Sequence, residues 1–198
     1  MRYEEYIKSI LDEYVNRGRI QAKDFPDMEL YMDQAAMYMN KKLEIYQKPD
    51  EEPVMTKAMI SNYVKHDMLP RPNKKKYSRD HLAMLTLIHY LKGVLQVQDI
   101  ENLMKPLIDN YNAEFAEHYN LLKLYNGIET LYNAHRADIV DEVNQDIDDI
   151  KTFLSKYENE DDDATELFML ISLLAMKADA QRYMVQKLMD EYFTSRKK

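Results

Sequence analysis

Glycine is scarce in this chain, and its scarcity limits the folds that the chain can adopt. Only three glycines and six prolines stand among 198 residues, whereas sixteen tyrosines and fourteen methionines are present. The tight turns of all-β folds depend on glycine, and the abundant leucine, lysine, glutamate and methionine favour helices. The composition therefore predicts an all-α protein, and its length is sufficient to bury a hydrophobic core.

Cysteine is absent, which excludes disulfide bonds, thiolate metal sites and cysteine nucleophiles. The most apolar run, Leu167 to Met176, falls well short of the roughly 20 residues that span a bilayer. The N-terminal stretch has acidic residues and no apolar core of the signal-peptide type. We therefore expect a cytoplasmic protein without a membrane partner. The histidines show no metal-ligand spacing and no catalytic motif stands out, so we expect no enzyme activity, no cofactor and no metal.

Positive charge is concentrated in one segment of an acidic chain. Residues 55–92 contain eight basic and two acidic residues, a net charge of +6, although the whole chain carries −8. The remaining residues carry −14. The densest part is "RPNKKKYSRDHL", Arg71 to Leu82, which follows Pro70 and contains Pro72. A basic segment in an acidic protein indicates a binding surface for a polyanion, although three consecutive lysines can also be an ordinary solvated turn.

Apolar residues that recur every three or four positions predict a series of helices. In the first half of the chain we expect helices at about residues 3–16, 31–43, 57–66, 79–92 and 96–104. Gly18 is the expected stop of the first helix, and Thr56 and Ser78 are the expected N-caps of the third and fourth. Asp80 lies favourably in the first turn of the fourth helix.

After Pro106 the pattern changes to a long apolar stripe. The stripe runs through residues 121, 124, 128, 131, 135, 139, 143, 147, 150, 154 and 157, and only His135 among them is not apolar. This spacing predicts a long helix or coiled coil, interrupted once near Gly127. The acidic run "ENEDDD", Glu158 to Asp163, is expected to be a linker before a last helix at about 164–193.

The order of elements between residues 30 and 104 is helix, loop, short helix, basic turn, helix, short helix. The stretches "TKAMISNYVKHDMLPRP", "KKKYSRDHLAML" and "LKGVLQVQDIENLM" resemble the recognition helix, the wing and the following helices of the MerR-type winged helix-turn-helix family. The resemblance implies an all-α fold with a small β-hairpin wing. The long apolar stripe adds a helical C-terminal bundle or coiled-coil region after this head.

A narrower resemblance is carried by four blocks in order. "FPDMELYMDQ", "MTKAMISNYVK", "LPRPNKKKYSRDHLAMLTLIHYLKGVL" and "DIENLMKPL" are similar to the bacterial family known as domain of unknown function 1836. Together they cover about Phe25 to Leu107. Beyond Leu107 the resemblance is only to a generally helical tail.

The MerR resemblance implies that the short third helix enters a major groove of double-stranded DNA while the wing lies on the backbone. Polar side chains on or near that helix would read bases, and cations of the wing would contact phosphates. Of Tyr63 and Tyr77, one is expected to pack and the other to reach a phosphate. The candidate DNA-binding residues are Thr56, Lys57, Ser61, Asn62, Tyr63, Lys65, Arg71, Lys74, Lys75, Lys76, Tyr77 and Arg79.

Three positions depart from the MerR pattern. Ser61 stands where the family has an arginine, Asn62 where it has an aromatic residue, and Asp67 where it has a glycine. The short wing also lacks its usual glycine. These departures keep a second interpretation open, a non-enzymatic protein-interaction module that reuses the winged-helix scaffold.

The expected organisation has three parts: an N-terminal amphipathic helix with its linker at 1–24, a winged helix-turn-helix domain at 25–106, and a helical dimerisation or regulatory region at 107–198. A helix-turn-helix head offers little contact area alone, so we expect a homodimer formed through residues 107–198. That region could instead pack on the N-terminal helix of its own chain, which would give a monomer. A small-molecule effector remains open.

Overall fold

The structure is a computed structural model that describes residues 3–16, 19–43, 53–112, 120–156 and 163–193. Its helices are α1 (Tyr3–Asn16), α2 (Met32–Leu43), α3 (Lys57–Lys65), α4 (Arg79–Leu91), α5 (Val97–Asn112), α6 (Leu121–Ala134), α7 (Arg136–Leu154) and α8 (Asp163–Tyr192). A 3₁₀ turn covers Ala22–Asp24, and the strands of the described residues are β1 (Leu30–Tyr31) and β2 (Lys76–Tyr77). None of these helices combines the length and the apolar character that crossing a membrane requires.

The prediction of a mostly helical chain with a small antiparallel sheet is confirmed. The two strands pair antiparallel, with Leu30 opposite Tyr77 and Tyr31 opposite Lys76. Their pairing joins the residues just before α2 to the residues just before α4, so the two strands are far apart in sequence. Within the basic turn, an antiparallel bridge joins Asn73 to Lys76, only three residues further along the chain.

The chain divides into two compact units. One consists of Met1–Gly18 and Thr130–Val185, and the other of Arg19–Glu129 and Gln186–Lys198. The division therefore falls near residues 18, 129 and 185, whereas the sequence suggested boundaries at 24 and 106. We refer to the first as the α1–α7 unit, after the two helices α1 and α7, and to the second as the α2–α5 unit, after the helices α2 to α5.

The α2–α5 unit is built around α4, whose residues 81–86 are all buried. Such continuous burial is typical of a central helix that other elements cover on every side. Buried residues of the neighbouring elements complete its core, among them Ala35, Met39, Ile60, Tyr77, Ile100, Met104 and Ile108. The core holds α3 and the basic turn on elements that are themselves fixed by packing.

Asn40 fixes the point at which the chain enters α3. Its side-chain amide donates to the Met55 carbonyl at 2.7 Å, and its side-chain oxygen accepts from the Met55 N–H at 2.8 Å. Both backbone groups of the buried Met55 are thereby satisfied by one side chain on α2. Because Met55 is next to the N-cap of α3, this pair of hydrogen bonds sets where α3 begins.

In the α1–α7 unit, α1 packs against α7. Ile150, Leu154 and Leu170 form a small core, with Ile7, Ile147 and Met169 packed against it. The ammonium of Lys177 on α8 bridges Asp146 at 2.7 Å and Glu142 at 2.8 Å on α7. The N-terminal helix thus meets the C-terminal region of its own chain, which the sequence left as the alternative to dimerisation.

Most predicted helix boundaries agree with the structure, and α5 differs. It was expected to end near residue 104, but it continues through Pro106 to Asn112. Proline in a helix removes one backbone hydrogen bond, and the Pro106 ring lies on the exposed side. Met104 and Ile108 flank it and are buried, so packing on both sides holds the helix together.

The long stripe is interrupted at His135 and not near Gly127. Gly127 lies inside α6, and a Cβ at that position would meet nothing within 4 Å. A residue with a side chain would therefore fit at position 127, and α6 does not require glycine there. His135 ends α6 and precedes α7, and its imidazole lies 3.0 Å from Asp138 in the first turn. Gly18 and the linker residues 158–162 lie outside the described residues.

Candidate nucleic-acid interface

Helix α3 has one buried and one exposed side. Thr56 is its N-cap in extended conformation, and the Thr56 hydroxyl accepts a hydrogen bond from the Met59 N–H at 3.2 Å. Ile60 and Tyr63 are buried and fix the helix to the core. The exposed side carries Lys57, Ser61, Asn62 and Lys65. The cap prediction is confirmed, and it means that the Thr56 hydroxyl is already engaged within the chain.

The end of α3 is a Schellman motif with an aspartate in the left-handed position. The N–H of Met68 donates to the Tyr63 carbonyl at 2.9 Å, and the Asp67 N–H donates to Val64 at 3.4 Å. Asp67 has a φ of 52°, a conformation that glycine adopts most easily. Met68 and Tyr63 are both buried, which supplies the hydrophobic contact of the motif. The structure thus explains why a glycine is expected here, although the chain carries an acidic residue.

The basic turn is a tight reversal with two lysines at its tip. The Lys76 N–H donates to the Asn73 carbonyl at 2.8 Å, and Lys74 and Lys75 between them have φ values of 47° and 65°. Positive φ at both central residues is the backbone of a type I′ turn, for which Asn-Gly is the usual choice. Lysine at such positions costs of order 1 kcal/mol each. The turn keeps two exposed cations at its tip despite this cost.

Lys76 and Tyr77 belong to the strand that leaves the turn. The Lys76 ammonium lies 5.8 Å from the centre of the Tyr31 ring, a cation–π contact across the two strands. The Tyr77 ring packs edge-on against the His81 imidazole, with ring centres 5.4 Å apart. The alternation of an outward lysine and an inward tyrosine anchors the turn to the core.

Both candidate tyrosines are buried. Tyr63 is 5% exposed and Tyr77 is 1% exposed. Burial raises the pKa of the Tyr77 hydroxyl. The sequence suggested that one of the two packs and the other reaches a phosphate, whereas in the structure both pack. Each residue thus positions its neighbours: Tyr63 holds α3, and Tyr77 holds the strand after the basic turn.

Arg79 is engaged within the chain. Its guanidinium donates to the Asp27 carboxylate at 2.8 Å and to the Ala22 carbonyl at 2.8 Å. These bonds tie the first turn of α4 to the segment before β1. A guanidinium held by two partners is poorly available for a phosphate. Lys57 is also paired, with Asp33 at 2.6 Å, but both side chains are largely exposed and the pair is weak.

Besides Lys76, which contacts the Tyr31 ring, four candidate cations have no acidic partner within the described part of the chain. They are Lys65 at the end of α3, Arg71 before the turn, and Lys74 and Lys75 at its tip, and all four are exposed. Buried Met68, Leu69 and Pro70 separate Lys65 from Arg71 and anchor the connecting chain. The arrangement therefore offers unneutralised positive charge on elements whose backbone is fixed, which is what binding of a polyanion requires.

Two residues that shape this region escaped the sequence reasoning. Asp80 was assigned to the helix dipole, but its carboxylate accepts the Leu122 N–H at 2.9 Å and the Tyr111 hydroxyl at 3.4 Å. The Tyr125 hydroxyl donates to the Ile20 carbonyl, and its ring stacks at a tilt on Phe25. No sequence signal indicated these contacts, because pairs so distant in sequence leave no local pattern.

No group of three potential metal ligands comes together among the residues that the structure describes. The surface of the α2–α5 unit is distinguished by the positive charge of the basic turn and by the exposed side of α3.

Comparison with known proteins identifies a family. The model of the family described as "Domain of unknown function (DUF1836)" matches residues 20–128, more than half of the chain. The matched range agrees within one residue at each end with the Arg19–Glu129 segment of the α2–α5 unit. It also continues past Leu107, where the sequence blocks ended. No curated protein and no solved structure gave a significant match. The chain belongs to the DUF1836 family.

Proposed function

We propose that this protein is a DNA-binding transcriptional regulator whose α2–α5 unit is a MerR-like winged helix-turn-helix head. In this proposal α3 is the recognition helix and the turn from Asn73 to Lys76 is a minimal wing. Its target is double-stranded promoter DNA. The protein acts without enzymatic chemistry.

One observation carries the proposal: the type I′ turn presents Lys74 and Lys75 at positive φ, exposed and without acidic partners among the described residues. Strained backbone is retained mainly where function requires it. An Asn-Gly tip would relieve the strain but would remove both charges. A tip that keeps two lysines is therefore suited to contact an anionic backbone at close range.

The exposed side of α3 supports base reading. Ser61 and Asn62 lie on that side and bear the hydrogen-bonding groups that direct readout uses, with asparagine able to pair with adenine. Lys65 and Arg71 follow on the same chain segment and would contact phosphates. Lys57 would join them after giving up its exposed pair with Asp33. Arg79, Tyr63 and Tyr77 are positioning residues in this proposal.

The proposal is tested with a turn that keeps its shape and loses its charge. In Lys74→Asn/Lys75→Gly the sequence suits a type I′ turn better than the wild type does, so the fold should be retained. Fluorescence anisotropy with a labelled duplex across a salt series should show weaker binding. If a dimer loses four phosphate contacts, the log–log slope becomes shallower by roughly 3 to 4.

The matched control removes equal charge elsewhere in the same unit. Lys105 and Lys123 are exposed helical lysines, and Lys105→Gln/Lys123→Gln should bind like the wild type. Equal losses in both double variants would show only a general charge effect. Binding indifferent to the turn would count against the wing assignment.

A protein-interaction module is the second candidate. It is favoured by Met28 and Met37, which are 71% and 70% exposed beside the strand and on α2, because exposed methionines suit adaptable protein contacts. In that case the duplex would not bind even at low salt, while Met37→Lys would disrupt capture of a protein partner. Retained DNA binding in Met37→Lys would favour the first candidate.

A further inference from the structure

Helix α8 carries a heptad pattern whose residues are mostly exposed in the part of the chain that the structure describes. From Leu167 the spacing alternates four and three residues, through Ile171, Leu174, Ala178, Gln181 and Val185, all within the α1–α7 unit. We call these six residues the seam. In sequence the same spacing continues at Leu188 and Tyr192. A stripe with a repeat of seven is the pattern of helices that pair as a coiled coil.

The seam lies on a different side of α8 from the contacts within the chain. Leu170 and Lys177 face α7: Leu170 is buried in the small core, and Lys177 binds Asp146 and Glu142. At 100° per residue, the centre of the seam lies about 60° from Leu170 and about 80° from Lys177, so these two residues border the seam on the side of α7. Ile171 is 65% exposed, and Ala178 and Gln181 are exposed as well. Among the described residues, α8 therefore contacts α7 through one side, while the neighbouring seam is exposed except at the half-buried Leu167 and Val185.

We propose that the seam is the surface through which two copies of this chain pair as a parallel coiled coil. The inference deepens the proposed function by naming the dimer surface, and it rests on that function only insofar as helix-turn-helix heads bind DNA as dimers.

The residue types favour two parallel strands. When Ile171, Ala178 and Val185 are the a positions, Leu167, Leu174 and Gln181 are the d positions. β-Branched residues at a with leucine at d favour a parallel dimer. Gln181 is the single polar member. Only an in-register parallel pair places it opposite its own copy, where the two amides can bond to each other.

The area is sufficient for a specific interface. The seam and the neighbouring Phe168, which is 72% exposed, expose on the order of 600 Å² of each chain, which reaches the lower end of the roughly 600 to 1,000 Å² per partner that a specific interface buries. An identical helix is the partner that fits such a surface, because it supplies the same knobs and holes at the same spacing.

Charges beside the seam do not oppose the pairing. In a parallel pair Lys177 would face Arg182 of the second copy. Each is neutralised within its own chain, Lys177 by Asp146 and Glu142, and Arg182 by Asp179 at 2.7 Å. The like charges are thus compensated before two copies meet.

The test measures the mass of the full-length chain in solution without DNA, by sedimentation or light scattering over a concentration series. The wild type should be a dimer, and Ile171→Lys/Leu174→Lys should be monomeric. Met176→Lys is the matched control, since Met176 is 70% exposed on the opposite side of α8 and should not affect association. Circular dichroism checks that the helices are retained. A monomeric wild type, or a dimer that survives the seam variant, would overturn the proposal.

The absence of cysteine in the natural sequence allows a test of orientation. Leu167→Cys places one thiol near one end of the seam, so a parallel pair should form a disulfide-linked dimer on mild oxidation. Met176→Cys should not. Failure of Leu167→Cys to cross-link in a chain that dimerises would overturn the parallel arrangement. Because neither assay contains DNA, failure here is distinguishable from failure of DNA binding.

Discussion

At the scale of single residues, Asp67 combines two unfavourable features in one position. It occupies the left-handed end of α3 with a φ of 52°, and it places a negative charge beside a basic segment. Asp67→Gly should raise the free energy of unfolding by about 0.5–1 kcal/mol, since glycine adopts this conformation without steric cost. Chemical denaturation measures that change.

Two further variants separate conformation from charge. Asp67→Asn keeps a side chain that tolerates positive φ and removes the charge, so stability should change little while DNA affinity rises at low salt. Asp67→Ala removes the charge and disfavours the conformation, so it should lower stability. Equal stability of the alanine and glycine variants would contradict the assigned backbone geometry.

His81 makes the α2–α5 unit sensitive to acid. The Ser78 N–H donates to its Nδ1 at 3.1 Å, closing the N-terminus of α4. Burial lowers the pKa of His81, opposed in part by the backbone of Arg71 and by the Asp80 carboxylate. The unfolded chain therefore takes up a proton first as pH falls, and stability is lost below about 6.5, the ordinary pKa of histidine.

Thermal unfolding between about pH 7.5 and 5.5 checks this expectation. His81→Gln keeps an acceptor for the Ser78 N–H but cannot be protonated, so its melting temperature should fall less with pH than that of the wild type. The remaining slope includes His89, whose pKa is also lowered by burial. His135→Gln is the control at an exposed position. Parallel slopes for wild type and His81→Gln would contradict the account.

At the scale of helices, Gly127 gives a direct measure of helix propensity. It lies inside α6 with open space where a Cβ would stand. Gly127→Ala should therefore stabilise the protein by about 0.5–1 kcal/mol. Gly93 lies in the turn after α4 and serves as the control, because alanine there gains no helix propensity. A destabilised Gly127→Ala variant would show that α6 requires glycine at this position.

Helix positions were predictable because their signals are local. Thr56 and Ser78 mark the starts of α3 and α4, and the apolar spacing in α1 and α2 sets their extents closely. Pro106 and Gly127 misled the sequence reasoning because helix propensity is a weak bias that packing overrides. Met104 and Ile108 are buried on either side of Pro106 and hold α5 together. No local sequence pattern predicts this packing.

The candidate site was predictable in its charges and less so in its side-chain roles. The basic segment, the short helix and the turn are all present. Whether a given cation is available to bind a phosphate, however, depends on partners distant in sequence, such as Asp27 and Ala22 for Arg79. Likewise the pairing of Tyr31 with Lys76 follows from the packing of α2 and α4 and not from either strand alone.

At the scale of the whole molecule, the family match and the Arg19–Glu129 segment of the α2–α5 unit cover nearly the same residues. The part of the chain that defines the family therefore coincides with a compact unit carrying the basic turn and α3. The α1–α7 unit supplies most of the seam-bearing helix. This division of roles, with DNA contact in one unit and pairing of chains in the other, is the central claim of our proposals.

The most direct test of that claim is the salt dependence of wild-type binding to a short random-sequence duplex, measured by fluorescence anisotropy. For a dimer that makes about six phosphate contacts, we expect log affinity to fall with log salt at a slope of about −5. Absence of binding at low salt, or binding whose affinity does not change with salt, would contradict a function based on the cations of the basic turn.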